Sequence, residues 1–209
     1  MAPMQGSPGE VDVRDYRDED EPSWLRARVL SFLSTAYYDD VKTERTRFDG
    51  AAVRLVAVRP GPGAITSPGA EEVVGLLDVE LFDPEPGAAG GTATIDSIAV
   101  HPDHQRRGLA DRLLAEALRR LAPLGLVSLD AWTREDEPAN HWYLRNGFAV
   151  AHEYLHVYKS WDDPAEGFTT PDGLSAPLAA FMHGSLEDEQ ALRARFRRVH
   201  RCRQYLREL

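Results

Sequence analysis

The feature that most constrains this chain is a buried strand that runs through a single-glycine turn straight into an amphipathic helix. Ile98-Ala99-Val100 reads as the strand, and His101-Pro102-Asp103-His104 breaks it. Gln105-Arg106-Arg107-Gly108-Leu109-Ala110 then opens a helix in which Leu109, Leu113, Leu114, Ala117, Leu118 and Leu121 recur at helical spacing. Pro123 and Gly125 end it. The first backbone N–H groups of a helix have no partner within it, and the helix dipole adds positive potential there, so such a turn suits an anion. Gly108 and Ala110 would let a phosphate approach the main chain, and Arg106 and Arg107 add charge. By itself the turn is also an ordinary tight connection. It lacks the Gly-Lys-Ser/Thr ending of a Walker loop, and it has one glycine where a dinucleotide fingerprint needs more.

The flanking segments set the fold class. Val11 to Tyr16 alternates at period two and reads as a strand; the acids from Asp18 to Glu21, with Pro22, then start a helix carrying Trp24, Leu25, Val29, Leu30, Phe32 and Leu33. Val53 to Val58 is a second strand, stopped by Pro60-Gly61-Pro62-Gly63. Glu72 to Phe82 and Thr92 to Val100 form a hairpin across a loop that includes Asp83 to Gly87. Leu126 to Trp132 is a fifth strand, Pro138 to Asn146 a short helix stopped by Gly147, and Phe148 to Tyr158 a further strand. Residues 161–184 read as loop. A last helix is expected from the N-cap Ser185, with Leu192, Phe196, Val199, Cys202 and Leu206 on one face. Hairpin strands followed by strand–helix alternation predict an α/β chain of the α+β type: a mixed, twisted sheet of six or seven strands flanked by helices, with an extra C-terminal helix.

The 209 residues suit one domain with appendages, here a loose tail over residues 1–10, a domain over 11–160, and a loop plus helix over 161–209. The net charge of −10 disfavours nucleic acid and acidic membranes and mildly favours cationic small molecules. One cysteine, Cys202, allows neither an internal disulfide nor a cysteine metal cluster. There is no signal-peptide pattern and no apolar run of membrane-spanning length, so a cytoplasmic protein is expected.

The order of elements and the segment Ile98 to Leu114 resemble the GNAT superfamily of N-acetyltransferases. The family motif Gln/Arg-x-x-Gly-x-Gly/Ala is matched by Gln105 to Ala110, and its Tyr-x-x-x-Gly-Phe by Tyr143-Leu144-Arg145-Asn146-Gly147-Phe148. The resemblance covers residues 11–160. It implies acetyl-CoA as acyl donor, no metal, and direct transfer of the acetyl group to an amine in a ternary complex. It also implies that the main chain around Ile98, Ala99 and Val100 meets the pantetheine arm. The amides of Arg106, Arg107, Gly108, Leu109, Ala110 and Asp111, after Gln105, would cradle the pyrophosphate. Tyr143 would protonate the leaving thiolate, a role its phenol suits. The Val100 amide could polarise the thioester carbonyl. Two positions depart from the family. Asp111 stands where Ser or Thr is usual, so its side chain is expected to point away from phosphate. Asp136 stands where Asn is usual seven residues before the Tyr, and Asn140 is a candidate substitute.

An attacking amine must lose a proton, because an alkyl ammonium titrates near roughly 10. Asp96, two residues before Ile98 and flanked by Thr94 and Ile95, is the first candidate for the base, with Glu80 and Asp130 as rivals. Desolvation among those neighbours would strengthen it. Pro102 between His101 and His104, with no third ligand nearby, argues against a metal there, and His152 with His156 reads as a packed or solvated strand face. The expected partner is a small-molecule or peptide amine. The tail helix either closes the acceptor pocket or makes a homodimer. A different class stays open as well: an acyl-CoA-binding sensor or assembly module with little catalysis.

Overall fold

The computed structural model describes residues 11–61, 71–84 and 86–209; the expected tail over 1–10, Pro62 and Gly63 of the first turn, and Glu85 lie outside them. The chain divides into two compact units, one running to Ala131 and including Arg207–Leu209, the other Trp132–Leu206. The first holds β1 (Asp12–Asp15), α1 (Glu21–Phe32), β2 (Ala52–Pro60), β3 (Glu71–Phe82), β4 (Gly91–Val100), α2 (Leu109–Leu121) and β5 (Leu126–Thr133), which runs on past Ala131. Its strands lie in the order β1-β2-β3-β4-β5. All pairs are antiparallel except β4 with β5, which is parallel.

Period-two burial places a helix on each face of this sheet. Trp24 and Ala27 of α1 pack on Val56, Val58, Leu76 and Ala99. The neighbouring Gly75 turns the other way: a Cβ there would sit 3.2 Å from Leu113 Cδ1 of α2, so α2 approaches close to the strand. Burial of Leu109, Leu113, Leu114, Ala117 and Leu121 removes the apolar stripe of α2 from water, roughly 1.5–3 kcal/mol for each large side chain. The loop after α1 is tied down at two points. Arg28, 2% exposed, donates to the Asp40 carbonyl and carboxylate at 2.7 Å each, and the Arg45 amide donates to Glu21 Oε1 at 2.9 Å.

The second unit holds α3 (Glu137–Arg145), β6 (Ala149–Lys159), β7 (Ala180–Gly184), α4 (Glu189–Arg195) and most of β8 (Arg198–Glu208). β6 lies between β8 and β7, antiparallel to both. Leu155, Val157, Phe196 and Val199 form its core under Phe168, Met182, Leu186 and Leu192.

The expectation of a long C-terminal helix is corrected here. Ser185 does cap a turn, accepting from the Glu187 amide, but α4 has only seven residues and Arg198–Glu208 is strand. The expected loop over 161–184 also contains β7, and among the described residues the strands number eight. The spacing of Phe196, Val199 and Cys202 imitates a helical stripe because both faces of β8 are covered. Val199 and Tyr205 are buried on one face and Cys202 on the other. Among the described residues, no helix is long and apolar enough to cross a membrane.

Candidate active site

The expected anion turn has the backbone such a site requires. After β4, a 3-10 turn over Pro102–His104 leads to Gln105. Arg106 then takes φ of +59° and Gly108 φ of +73°; Arg106 is the one non-glycine with positive φ among the described residues. Alternating left-handed residues turn successive N–H groups toward one side, which makes an anion-binding concavity. Gly108 is the N-cap of α2 and has no side chain to satisfy the first-turn amides, and a Cβ at Gly108 would meet nothing within 4 Å. The first intrahelical bond runs from the Arg112 amide to the Gly108 carbonyl, so the amides of Gly108, Leu109, Ala110 and Asp111 precede the helical ladder. Arg106, Arg107, Gly108 and Asp111 are exposed, whereas Leu109 is buried and anchors the turn. These residues fit a pyrophosphate.

Beyond Ile95 the strand before the turn is no longer paired with β5 and, among the described residues, offers a free edge. Its register with β5 runs from Gly91↔Leu126 to Ile95↔Ala131 and stops there, while its register with β3 continues to Val100. The His101 amide donates to the Val74 carbonyl at 2.9 Å, so by alternation Ala99 also turns its polar groups to β3. Ile98 and Val100 therefore present theirs to the free edge. Gln105 Nε2 donates to the Val100 carbonyl at 3.1 Å, which ties the turn to this edge. Ala99 has its methyl in the α1 core and its main chain on β3, and it presents no polar group at the edge.

Asp96 is the extra residue of a bulge, since Asp78 pairs with Ser97 and Val79 with Ile95. Its surroundings are polar, not the apolar ones expected. Lys42 Nζ stands 3.2 Å from Asp96 Oδ2, and Thr46 Oγ1 and Ser97 Oγ each donate to that oxygen at 3.1 Å. Of the rivals, Asp130 accepts from Thr94 Oγ1 at 2.5 Å, and Glu80 is the cross-strand partner of Thr94. A fourth carboxylate, Asp78 on β3, escaped the sequence reading. It is fully buried, and burial pushes it up to about 6; Arg45 opposes that shift and Asp96 adds to it. Arg45 Nε lies 3.3 Å away but out of line, so neither Asp78 oxygen has a hydrogen bond. Its signal in the sequence was one acid inside the apolar run Val73 to Val79.

In the second unit, Tyr143 is 5% exposed on α3, its ring stacked on Tyr205 at 5.0 Å and met edge-on by Trp142 and Phe148. Gly147, at φ of +80°, ends α3 and brings the Phe148 amide to the Tyr143 carbonyl. Asn140 is engaged inside the unit. Its Nδ2 donates to the Arg134 and Asp136 carbonyls, and its Oδ1 accepts from Arg203 and from the Tyr205 hydroxyl. That exhausts a side-chain amide, so Asn140 positions α3 against β8 and has nothing left for a ligand. On the other face of β6, Arg134 Nε donates to His156 Nδ1, so the proton of His156 sits on Nε2, toward Tyr154 Oη. Burial first, then Arg134 and the neighbouring imidazoles, hold His156 down at about 4. Among the described residues, no group of three or more His, Cys, Asp or Glu is arranged to hold a metal.

Residues 14–148 match the acetyltransferase (GNAT) family. The chain belongs to that family. It is 33% identical over 164 residues to mycothiol acetyltransferase from Parafrankia sp. (strain EAN1pec), covering 75% of this chain. It spans about half of that relative's length, 47%. Two solved structures share the GNAT fold: NAA60 of Arabidopsis thaliana in complex with acetyl-CoA (TM-score 0.57, 14% identity, 96% of this chain and 99% of that one), and a GNAT-family acetyltransferase of Staphylococcus aureus (TM-score 0.55, 13% identity, 96% and 99%).

Proposed function

We propose that this GNAT chain transfers an acetyl group from acetyl-CoA directly to a primary amine, with both substrates bound together. One observation carries the proposal: the edge of β4 at Ile98 and Val100 leads, through the short turn over Pro102–His104, into the Arg106–Asp111 anion turn. A long donor with a pyrophosphate at one end and an amide-bearing arm at the other suits that sequence of groups. Mycothiol acetyltransferase among the relatives, and an acetyl-CoA complex among the structural neighbours, support the same choice of donor.

Each residue has a chemical task. The amides of Arg106 to Asp111 hold the pyrophosphate, with the helix dipole behind them and the Arg106 and Arg107 guanidiniums adding charge. Ile98 and Val100 fix the arm by main-chain bonds, and the Val100 N–H stabilises negative charge growing on the thioester oxygen. Tyr143, its ring held by Tyr205, Trp142 and Phe148, donates a proton to the departing thiolate. The amine's proton passes to the carboxylates beside the bulge. Asp96 is the exposed one, and Asp78, at about 6, is the one poised to hold a proton near neutral pH. The acceptor is a small-molecule or peptide amine.

The test is release of free thiol from acetyl-CoA across a panel of primary amines, for the native chain and for Tyr143→Phe. The variant keeps the ring packing and loses the phenol, so kcat should fall about 10²-fold or more, the usual worth of a positioned acid. Binding of acetyl-CoA should persist. A chain that binds acetyl-CoA and releases no thiol with any amine would be the sensor or assembly module instead.

A further inference from the structure

We propose that the acidic face beside the β4 bulge is a seat for a primary alkylammonium, and that Lys42 fills it until an acceptor displaces it. The proposal rests on the acetyltransferase reading and names the part of the acceptor that the site grips. Residues directly opposed in a sheet share a face. Leu76 opposes Ala99, and both lie under Trp24 of α1. Two and four residues along β3 come Asp78 and Glu80, on the same face. Asp78 opposes Ser97 next to the bulged Asp96, and Glu80 opposes Thr94, whose hydroxyl bonds Asp130. Three adjacent strands thus bring four carboxylates to one side of the sheet.

The cations facing them are Lys42, Arg45 and Arg54. Arg45 cannot leave easily. It is buried, its amide is bound to Glu21, and its guanidinium lies 4.5 Å over the Tyr16 ring. Lys42 can leave. Its ammonium touches Asp96 Oδ2 at 3.2 Å and Thr46 Oγ1 at 2.5 Å, and both partners of the ion pair are 25% exposed, the kind of pair that contributes little to stability. The residue type matters, because the chain uses 22 arginines and only two lysines. A lysine head is a compact, rotatable point charge on a flexible stem, the same chemistry as an alkylamine acceptor, whereas a guanidinium is a flat fork. The wholly buried Asp78, with Arg45 Nε at 3.3 Å and Arg54 also acting on it, stands on the same face behind Asp96. The seat therefore holds an ammonium already, and that ammonium belongs to the chain.

Displacement predicts competition. n-Butylammonium chloride, the lysine head and stem as a free molecule, should raise the melting temperature of Lys42→Ala by about 2 °C or more, the shift that a modest ligand gives a chain of this size. The native chain should move less than half as far. Tetramethylammonium chloride at equal ionic strength and n-butanol should do nothing, and the double variant Lys42→Ala/Asp96→Asn should lose the response. Lys42→Gln, which keeps a polar side chain but removes the charge, should behave like Lys42→Ala. In thiol-release assays both single variants should show a several-fold lower KM for n-butylamine. An equal response of native and Lys42 variants, or none in either variant, would overturn the seat. Each variant is also melted with acetyl-CoA, so a lost donor site, which would count against the acetyltransferase reading, is told apart from a lost ammonium seat.

Discussion

Gly108 and Tyr143 show how separable binding and chemistry should be at single residues. Gly108 holds φ at +73°, a region that costs an L side chain roughly 1–2 kcal/mol, and a Cβ there would touch nothing within 4 Å. Gly108→Val should therefore lower stability only through backbone strain, by about 2–8 °C in melting temperature for a chain of this length. Acetyl-CoA affinity should fall as well, about tenfold or more, because the added side chain stands where a phosphate would approach the amides. Isothermal titration beside a melt separates the two effects. Tyr143→Phe should show the reverse pattern, with affinity kept and turnover lost. Asp96 illustrates what a sequence does not reveal about a residue. Its place on β4 was legible, but the bulge that exposes it, and the Lys42 ammonium supplied from 54 positions away, were not.

Among the elements, β1 to β6 and α1 to α3 were readable because each carries a periodicity, an apolar run or a clear start or stop residue. Leu109 to Leu121 repeats at helical spacing, and Leu76 to Glu80 sits in a strand whose neighbours are Val and Leu. β8 was not readable, because its two covered faces together imitate a helix and its pairing with β6 spans about fifty residues of sequence. The same strand helps cover His156, which gives the second unit a dependence on pH. His156 is neutral in the fold and held at about 4, against about 6.5 in an unfolded chain. Protonation thus favours unfolding, so stability present above about 6.5 is lost as pH falls toward 4, by an amount on the order of 3 kcal/mol for the buried imidazole. Asp78 acts in the opposite sense. Its carboxyl is raised to about 6, so its contribution is greatest below about 3.8 and fades as pH rises through 6. Denaturant melts of the native chain and His156→Gln between pH 4 and 7 isolate the histidine. The stability of the native chain relative to His156→Gln should fall steadily as the pH falls, and a constant difference would mean that His156 does not titrate in this window.

At the scale of the whole molecule, a net charge of −10 surrounds a turn that carries Arg106 and Arg107, while carboxylates collect beside the β4 bulge. That distribution would favour an anionic donor at the turn and a cationic acceptor beside the bulge, as the proposed direct transfer needs. The 105–111 turn and the free edge of β4 are proposed to hold acetyl-CoA. Thermal melting of the native chain with acetyl-CoA, beside ATP at the same concentration, tests this most directly. Ligand at about a hundred times its Kd adds roughly 2.7 kcal/mol, which is about 5–10 °C for a chain of this size. A shift of that order with acetyl-CoA, and little with ATP, is the predicted result. No shift at millimolar acetyl-CoA, or an equal one with ATP, would contradict it and leave the turn as a connection between a strand and a helix.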